Sequence, residues 1–284
     1  MKLSKSARDL TKAIPGIIVL LLACTIVLMP MAFMLTASFM PALDIMSMPY
    51  PWWPKTWKFA NYLKALAGND GNWIFIRNIL NSVIVSTTIA VTTVVLSSMV
   101  GYGLAKFRFK GRNAVFMVIM GTMMIPFETI MIPLYLIVVK IRIHDSYAGL
   151  ILPFLMNAFG VFIMRQYLVS FPDQILDAAR IDGCSEPKIF WDMVFKNSGP
   201  AIATLAVLSF RQQWDNLLWP LLVAQSEKMK TIPAYIVKFT AEKHTDEGAM
   251  MAVAVIASLP IFALFFFLSK YFLGGSSVYQ AGKE

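Results

Sequence analysis

Six stretches of the chain are almost free of charged residues and long enough to cross a lipid bilayer. A helix of about 20 apolar residues spans the roughly 30 Å hydrocarbon core of a membrane. The fifth stretch differs from the others because it carries Arg211 and Asp215 near its middle. The pattern predicts an all-α, polytopic membrane protein whose six transmembrane helices cover residues 13–39, 78–105, 114–139, 147–167, 199–223 and 248–269.

The composition supports this class. The 284 residues are 58% hydrophobic and 14% charged, whereas soluble globular chains carry roughly 25% charged residues. A net charge of +9 would indicate nucleic acid binding in a soluble chain. Here the basic residues flank the apolar stretches, which is typical of a membrane protein. We therefore expect contact with membrane lipid and none with nucleic acid.

The basic residues also predict an orientation. Lys106, Arg108, Lys110 and Arg112 fall within seven residues directly after the second predicted span. Such clusters are retained on the cytoplasmic side of a membrane. Both termini of this multi-pass protein are therefore predicted to be cytoplasmic.

The sequence lacks the motifs of several enzyme classes. Its two cysteines, Cys24 and Cys184, do not form a C-x-x-C pair or a Cys/His cluster, and no G-x-x-x-x-G-K-[ST] loop occurs. A disulfide framework, a metal site and ATP hydrolysis of the usual kind are therefore not expected. We predict no catalytic residues, no metal and no cofactor in this chain.

A polar segment interrupts the apolar pattern between the fourth and fifth predicted spans, at residues 170–198. Leu176, Ala179 and Ile181 lie near helical spacing, and Gly183 is expected to end or sharply bend that helix. The following SEPKIFWDMVF predicts a second short helix. Two such helices at the mouth of a span indicate a docking surface for a soluble partner.

Several motifs resemble one family. The spacing from Asp177 through Gly183 to Met193 resembles the EAA loop of permease subunits of ATP-binding-cassette (ABC) importers, and GYGLAKFRFKGR, MIPFETIMIPLY and WDNLLWPLL resemble the maltose-type carbohydrate permeases. The resemblance covers roughly residues 78–275 and implies a type I ABC importer permease fold. It divides the chain into an N-terminal tail, first span and outer loop (1–77), a core domain (78–275) containing the EAA loop (170–198), and a cytoplasmic tail (276–284).

The resemblance also implies the partners. The helix of the EAA loop rests in a groove on a separate ATPase subunit, which carries the ATP and Mg. Two such subunits, a second permease expected to be a different chain, and an extracytoplasmic solute-binding protein complete the importer. The residues implied in coupling are Asp177, Ala178, Ala179 and Gly183. Asp177 stands where the family usually has Glu, and Lys196 where it usually has Pro.

The fifth span predicts a substrate path. At 100° per residue, Arg211, Asp215 and Leu218 lie along one stripe of the helix. Gln212, Asn216 and Trp219 lie along the neighbouring stripe. Charged residues within a bilayer usually face a cavity. The alternative is that Arg211 and Asp215, four residues apart, pair with each other and only help to pack the bundle. The path residues expected are Arg211, Gln212, Trp214, Asp215 and Asn216.

The predicted function is import of a carbohydrate, with this chain forming part of the translocation path. Because of Arg211, we expect an acidic sugar, such as a uronate oligosaccharide, as much as a neutral oligosaccharide. Glycerol phosphate or another phosphorylated polyol is an alternative. A different class, an ion-coupled secondary carrier, would use Glu128 and Asp215 as ion sites. We also expect Asn81 and Asn157 to hydrogen-bond between helices.

Overall fold

A computed structural model describes residues 5–68, 71–241 and 246–273, so the predicted tail at 276–284 lies outside the described residues. All regular elements in these ranges are helical, which confirms the all-α prediction. The helices are α1 (Lys5–Ala37), α2 (Ala42–Ile45), α3 (Ala60–Ala67), α4 (Ile74–Lys106), α5 (Arg112–Thr122), α6 (Phe127–Lys140), α7 (Tyr147–Ile151, extended by a 3-10 turn to Phe154), α8 (Ala158–Val169), α9 (Asp173–Ile181), α10 (Glu186–Lys188, extended by a π-helical stretch to Phe195), α11 (Gly199–Trp214), α12 (Leu218–Val223), α13 (Ile232–Ala241) and α14 (Glu247–Leu273).

Within the described residues, three straight helices are long and apolar enough to span a membrane: Ala13–Ala37 of α1, all of α4, and Glu247–Ser269 of α14. Three bent pairs bring the number to six if each pair is one span. They are α5 with α6 (91°), Tyr147–Phe154 with α8 (44°), and Glu186–Phe195 with α11 (83°).

Three of the predicted spans are each broken into two helices: the third after Thr122, the fourth after Phe154 and the fifth after Trp214. α5 ends at Thr122, four residues before Pro126, and α11 ends at Trp214, shortly before Asn216 and Pro220. A proline cannot donate to the carbonyl four residues earlier, and its ring collides with that carbonyl. The prediction of one continuous fifth helix over residues 199–223 is therefore wrong, and so is the stripe that joined Arg211 to Leu218.

The chain divides into two compact units, Met1–Trp73 with Phe239–Ser258, and Ile74–Lys238 with Leu259–Glu284. In the first unit, Asp246 caps α14 by accepting from the backbone N–H of Gly248 (3.1 Å), and it pairs with Lys64 (2.8 Å) and Lys58 (3.4 Å). Burial raises the pKa of the Asp246 carboxyl, but the bond from Lys64 and both lysine charges outweigh burial and leave the pKa below its usual range. The predicted domain boundaries at residues 77 and 275 stay predictions.

The second unit is built on α4, which packs against both α8 and α11. At the crossing with α8, a Cβ on Gly101 would lie 2.8 Å from the Cβ of Met164 and 2.9 Å from the backbone nitrogen of Arg165. A Cβ on Gly160 would lie 2.5 Å from Oγ of Ser97. Small residues at these positions let the two backbones approach closely, as is common between transmembrane helices.

Asn81 bonds to other elements of the fold, whereas Asn157 caps its own helix. The Asn81 amide donates to the backbone oxygens of Lys228 and Lys230 (2.9 Å each) and accepts from the Tyr147 hydroxyl (2.7 Å), so the predicted bonding between elements is confirmed. Asn157 instead caps its own helix, because its Oδ1 accepts from the backbone N–H of Gly160 at 2.6 Å. The prediction for Asn157 is wrong because the chain breaks there and a new helix needs a cap.

Candidate functional site

The EAA loop forms two short helices, as predicted. Pro172 precedes α9, and Gly183 ends it with φ 78°, a left-handed conformation that glycine adopts without strain. The backbone N–H of Gly183 bonds to Arg180 O, and that of Cys184 bonds to Ala179 O, both at 3.0 Å. These bonds close the helix end and turn the chain into α10.

One face of α9 is buried in the core of the second unit. Leu176 is 1% exposed and Ala179 is 5% exposed. They belong to one apolar cluster with residues of α4, α8, α10 and its π-helical extension, and α11: Val94, Tyr102, Met164, Leu168, Ile189, Phe190, Val194, Ala201 and Leu205. The loop is therefore packed on the membrane helices through its apolar face.

The two alanines of the motif have different environments. Ala179 lies on the buried face, whereas Ala178 is exposed. Ile181 is 86% exposed, and Gln174 and Asp177 are exposed on the same side as Ala178. We call the four exposed residues Gln174, Asp177, Ala178 and Ile181 the outer loop face. Sequence reasoning treated both alanines as partner contacts, but only Ala178 is positioned for one.

A chain of polar contacts fixes the loop to α4. Arg180 donates to Asp177 Oδ1 (2.9 Å) and to Glu186 Oε1 (2.7 Å), and the Tyr102 hydroxyl donates to Glu186 Oε2 (2.8 Å). The bond to Glu186, more than that to Asp177, holds the pKa of Arg180 above its usual range. We call these four residues the polar clamp. Sequence reasoning missed Arg180, Glu186 and Tyr102. Tyr102 and Glu186 are 84 residues apart, and Arg180 meets Glu186 only across the turn at Gly183.

A second contact between the loop and α4 lies at the start of α9. The Lys106 ammonium, whose side chain is 6% exposed, donates to Asp173 Oδ1 and to the backbone oxygen of Phe171, both at 2.6 Å. The hydrogen bond and charge of Lys106 hold the pKa of Asp173 below its usual range. Lys106 therefore anchors the loop to the end of α4.

A second candidate site is a cavity of about 620 Å³ in the second unit. Three helix interruptions meet at its wall: residues 123–126 between α5 and α6, residues 155–157 before α8, and residues 215–217 between α11 and α12. Backbone that leaves the helical state at membrane depth is tolerated where it lines a cavity or is buried in protein. We call this space the broken-helix cavity.

Each of the three helices that border an interruption is shorter than the hydrocarbon core, so the interruptions fall within the spans. α5, α8 and α11 have 11, 12 and 16 residues, which at 1.5 Å per residue is roughly 16, 18 and 24 Å. The hydrocarbon core is roughly 30 Å thick. The broken-helix cavity therefore lies at membrane depth.

The cavity wall is mostly apolar, with seven polar or charged side chains among aliphatic and aromatic ones. Its uncharged polar side chains are Thr122, Asn157, Gln212, Gln213 and Asn216, and its aromatic rings are Phe127, Phe154 and Phe159. Its charged residues are Glu128 and Asp215, both acidic. Amides and hydroxyls bind sugar hydroxyl groups, and ring faces suit the apolar faces of sugars.

The five predicted path residues do not all reach this cavity. Gln212, Asp215 and Asn216 line it. Trp214 is 3% exposed and stacks on Phe210 in the core. Arg211 is not among the lining residues, and its Nε lies 3.4 Å from Asp215 Oδ2. Arg211 is therefore paired with Asp215, as the alternative interpretation expected.

Sequence reasoning missed other parts of the wall. Gln213 lines the cavity and accepts from the Asn216 amide at 3.2 Å. Glu128, interpreted as local structure or an ion site, lies in the first turn of α6, where the helix dipole stabilises its negative charge. Within residues 5–68, 71–241 and 246–273, no group of three or more His, Cys, Asp or Glu residues is arranged to hold a metal ion.

Comparison with known proteins decides the family. Residues 93–274 match the family described as binding-protein-dependent transport system inner membrane component. The chain belongs to this family. The resemblance drawn from the motifs is confirmed, and the permease is a multi-pass protein of the inner membrane.

Relatives and a solved structure agree with this assignment. The permease is 36% identical over 225 residues to the arabinooligosaccharides transport system permease protein AraQ of Bacillus subtilis (strain 168), covering 79% of each chain. It is 31% identical over 265 residues to the sn-glycerol-3-phosphate transport system permease protein UgpE of Rhizobium meliloti (strain 1021), covering 92% of this chain and 94% of that one.

The fold matches a chain in the crystal structure of a bacterial ABC transporter involved in the import of the acidic polysaccharide alginate. The TM-score is 0.79 at 22% identity, over 96% of this chain and 99% of that one. The ABC importer permease fold expected from the motifs is therefore confirmed.

Proposed function

We propose that this permease forms part of the translocation path of an ATP-driven carbohydrate importer. The observation that carries the proposal is the meeting of three helix interruptions, all within predicted spans, at one cavity with seven polar or charged side chains. AraQ relatives transport arabinooligosaccharides by name, and a relative from Rhizobium radiobacter is a lactose permease. An oligosaccharide is the solute we favour, with glycerol phosphate as the alternative that the UgpE relatives support.

The EAA loop couples this path to ATP hydrolysis on a separate subunit. Its inner face is packed into the core with α4, α8 and α11, and its outer loop face is exposed. A force applied to the outer loop face therefore reaches the three membrane helices through packed side chains. The chain supplies no catalytic residues, and ATP and Mg reside on the partner ATPase.

The assembly we propose contains a second permease, two ATPase subunits and an extracytoplasmic binding protein. The second permease is a different chain. With the EAA loop in the cytoplasm, both termini of this chain are cytoplasmic.

Co-purification tests the coupling surface. Ile181→Glu places a charge on the most exposed apolar residue of the outer loop face, and we expect the ATPase subunit to dissociate during purification and ATP-dependent uptake to be lost. Leu43→Glu is the matched control, since Leu43 is equally exposed (83%) in the predicted outer segment. It should retain the ATPase. The proposal fails if Ile181→Glu retains ATPase and uptake, or if uptake follows an ion gradient without ATP.

A further inference from the structure

The charges of the broken-helix cavity differ from what an anionic solute would need. Its lining contains Glu128 and Asp215 and no Lys, Arg or His. A carboxylate or phosphate entering the cavity would meet like charge, which proteins use to reject wrong ligands. A sugar hydroxyl, in contrast, donates well to a carboxylate.

Arg211 does not reverse this charge pattern. Its guanidinium lies outside the lining, its side chain is 67% exposed, and its nearest acid is Asp215 at 3.4 Å. The pair partly neutralises Asp215. Within the described residues Glu128 has no ion-pair partner, so the cavity wall keeps a net negative charge.

The remaining lining fits a neutral sugar. Gln212, Gln213 and Asn216 present both donors and acceptors, as hydroxyl groups require. Phe127, Phe154 and Phe159 offer apolar ring surface. The volume of about 620 Å³ is within the range of small-molecule sites.

The lining contains two acids and four amide side chains, and Arg211 is not part of it. From these observations we infer that the broken-helix cavity selects an uncharged, hydroxyl-rich solute and rejects uronates and sugar or polyol phosphates. The inference rests on the proposed function and narrows it to neutral oligosaccharides. It removes the reason for expecting an acidic sugar, because that expectation depended on Arg211 facing the path.

Uptake competition in proteoliposomes tests the inference on the complete importer with its binding protein. The probes are a radiolabelled neutral oligosaccharide, a uronate oligosaccharide of the same length, and glycerol 3-phosphate. We expect ATP-dependent uptake of the neutral sugar and little competition by the two anions. ATP-dependent uptake of an anion in preference to the neutral sugar would overturn the inference and leave the importer assignment standing. Absence of ATP-dependent uptake of all three probes would overturn both.

Two variants of this permease test whether the selectivity comes from the cavity rather than from the binding protein. Glu128→Gln removes the charge at constant size, and we expect neutral uptake to fall about tenfold below saturation through loss of a charge-assisted bond. The ratio of neutral to anionic uptake should also fall. Arg211→Gln should keep the ratio of neutral to anionic uptake. Loss of anion uptake in Arg211→Gln, or stronger anion rejection in Glu128→Gln, would contradict the inference, with assembly of each variant checked by co-purification of the ATPase.

Discussion

Replacing Glu186 by alanine removes the centre of the polar clamp. In the permease Glu186 accepts from Arg180 at 2.7 Å and from the Tyr102 hydroxyl at 2.8 Å. Tyr102 is 5% exposed, so its hydroxyl would lose its acceptor in a largely buried place. Glu186→Ala therefore affects both the ion pair within the loop and the bond between the loop and α4.

The free-energy cost of Glu186→Ala can be worked out from these contacts. Arg180 and Glu186 are each 38% exposed, so their ion pair is worth only about 0.5 kcal/mol. Leaving the buried hydroxyl of Tyr102 without a partner costs about 1–2 kcal/mol. The sum, about 2 kcal/mol, corresponds to a roughly 30-fold increase in the population of the open loop.

Hydrogen exchange of the assembled importer measures this directly. Amides of α9 and α10 should exchange roughly 30-fold faster in Glu186→Ala, and uptake per ATP hydrolysed should fall. Asp192→Asn is the matched control, because Asp192 pairs with Lys196 on the same segment but in an exposed i,i+4 contact. Exchange in Glu186→Ala that equals exchange in Asp192→Asn would refute the clamp and leave the apolar face as the main hold on the loop.

Further outcomes follow from other contacts. Gly183→Ala should weaken the loop by about 1–2 kcal/mol, since φ is 78° and nothing lies within 4 Å of a new Cβ, whereas Gly183→Pro should abolish uptake with membrane insertion intact. Gly101→Ala should lower the thermal midpoint of the complex by forcing α4 from α8, at about 1–3 kcal/mol, while Gly103→Ala, with open space around it, should not. Because the folded pKa of Asp173 is lowered by Lys106, its contribution is complete above the unfolded value near 3.8 and is lost as pH falls through the folded value. Limited proteolysis of the loop should therefore be unchanged from pH 7 to 5 and increase only in stronger acid. Asp173→Asn should remove the charge pairing with Lys106 at every pH, while Lys106 keeps its bond to the Phe171 backbone oxygen.

The parts of the molecule that the sequence predicted well depend on local signals. Gly183 ends α9 because only a few residue types tolerate its left-handed conformation, and this preference is visible in the sequence itself. The buried positions Leu176 and Ala179 follow from helical spacing, but Ile181, which the same spacing included, is 86% exposed. These signals need no knowledge of the rest of the chain.

The failures arise where distant segments meet. The fifth span is interrupted before Pro220, which a periodicity argument treats as one more apolar position. Asn157 caps a helix because a break precedes it, and that break is visible only once α7 and α8 are placed. Glu186 lies 84 residues from Tyr102, so no local pattern links them. Pro126 and Pro220 are the local signals of two of these breaks, because each lies at or shortly after an interruption.

We propose that the solute passes through the broken-helix cavity and that the EAA loop drives the opening of this cavity. With Cys24 and Cys184, the only two cysteines of the chain, replaced by serine, Asn216→Cys places a single thiol in the cavity wall. The measurement is the rate at which a charged thiol reagent modifies this cysteine in the reconstituted importer. We predict that substrate slows modification, that ATP turnover changes the side from which the reagent reaches the thiol, and that Gly183→Pro abolishes the change of side. A modification rate unaffected by both substrate and ATP would contradict the account.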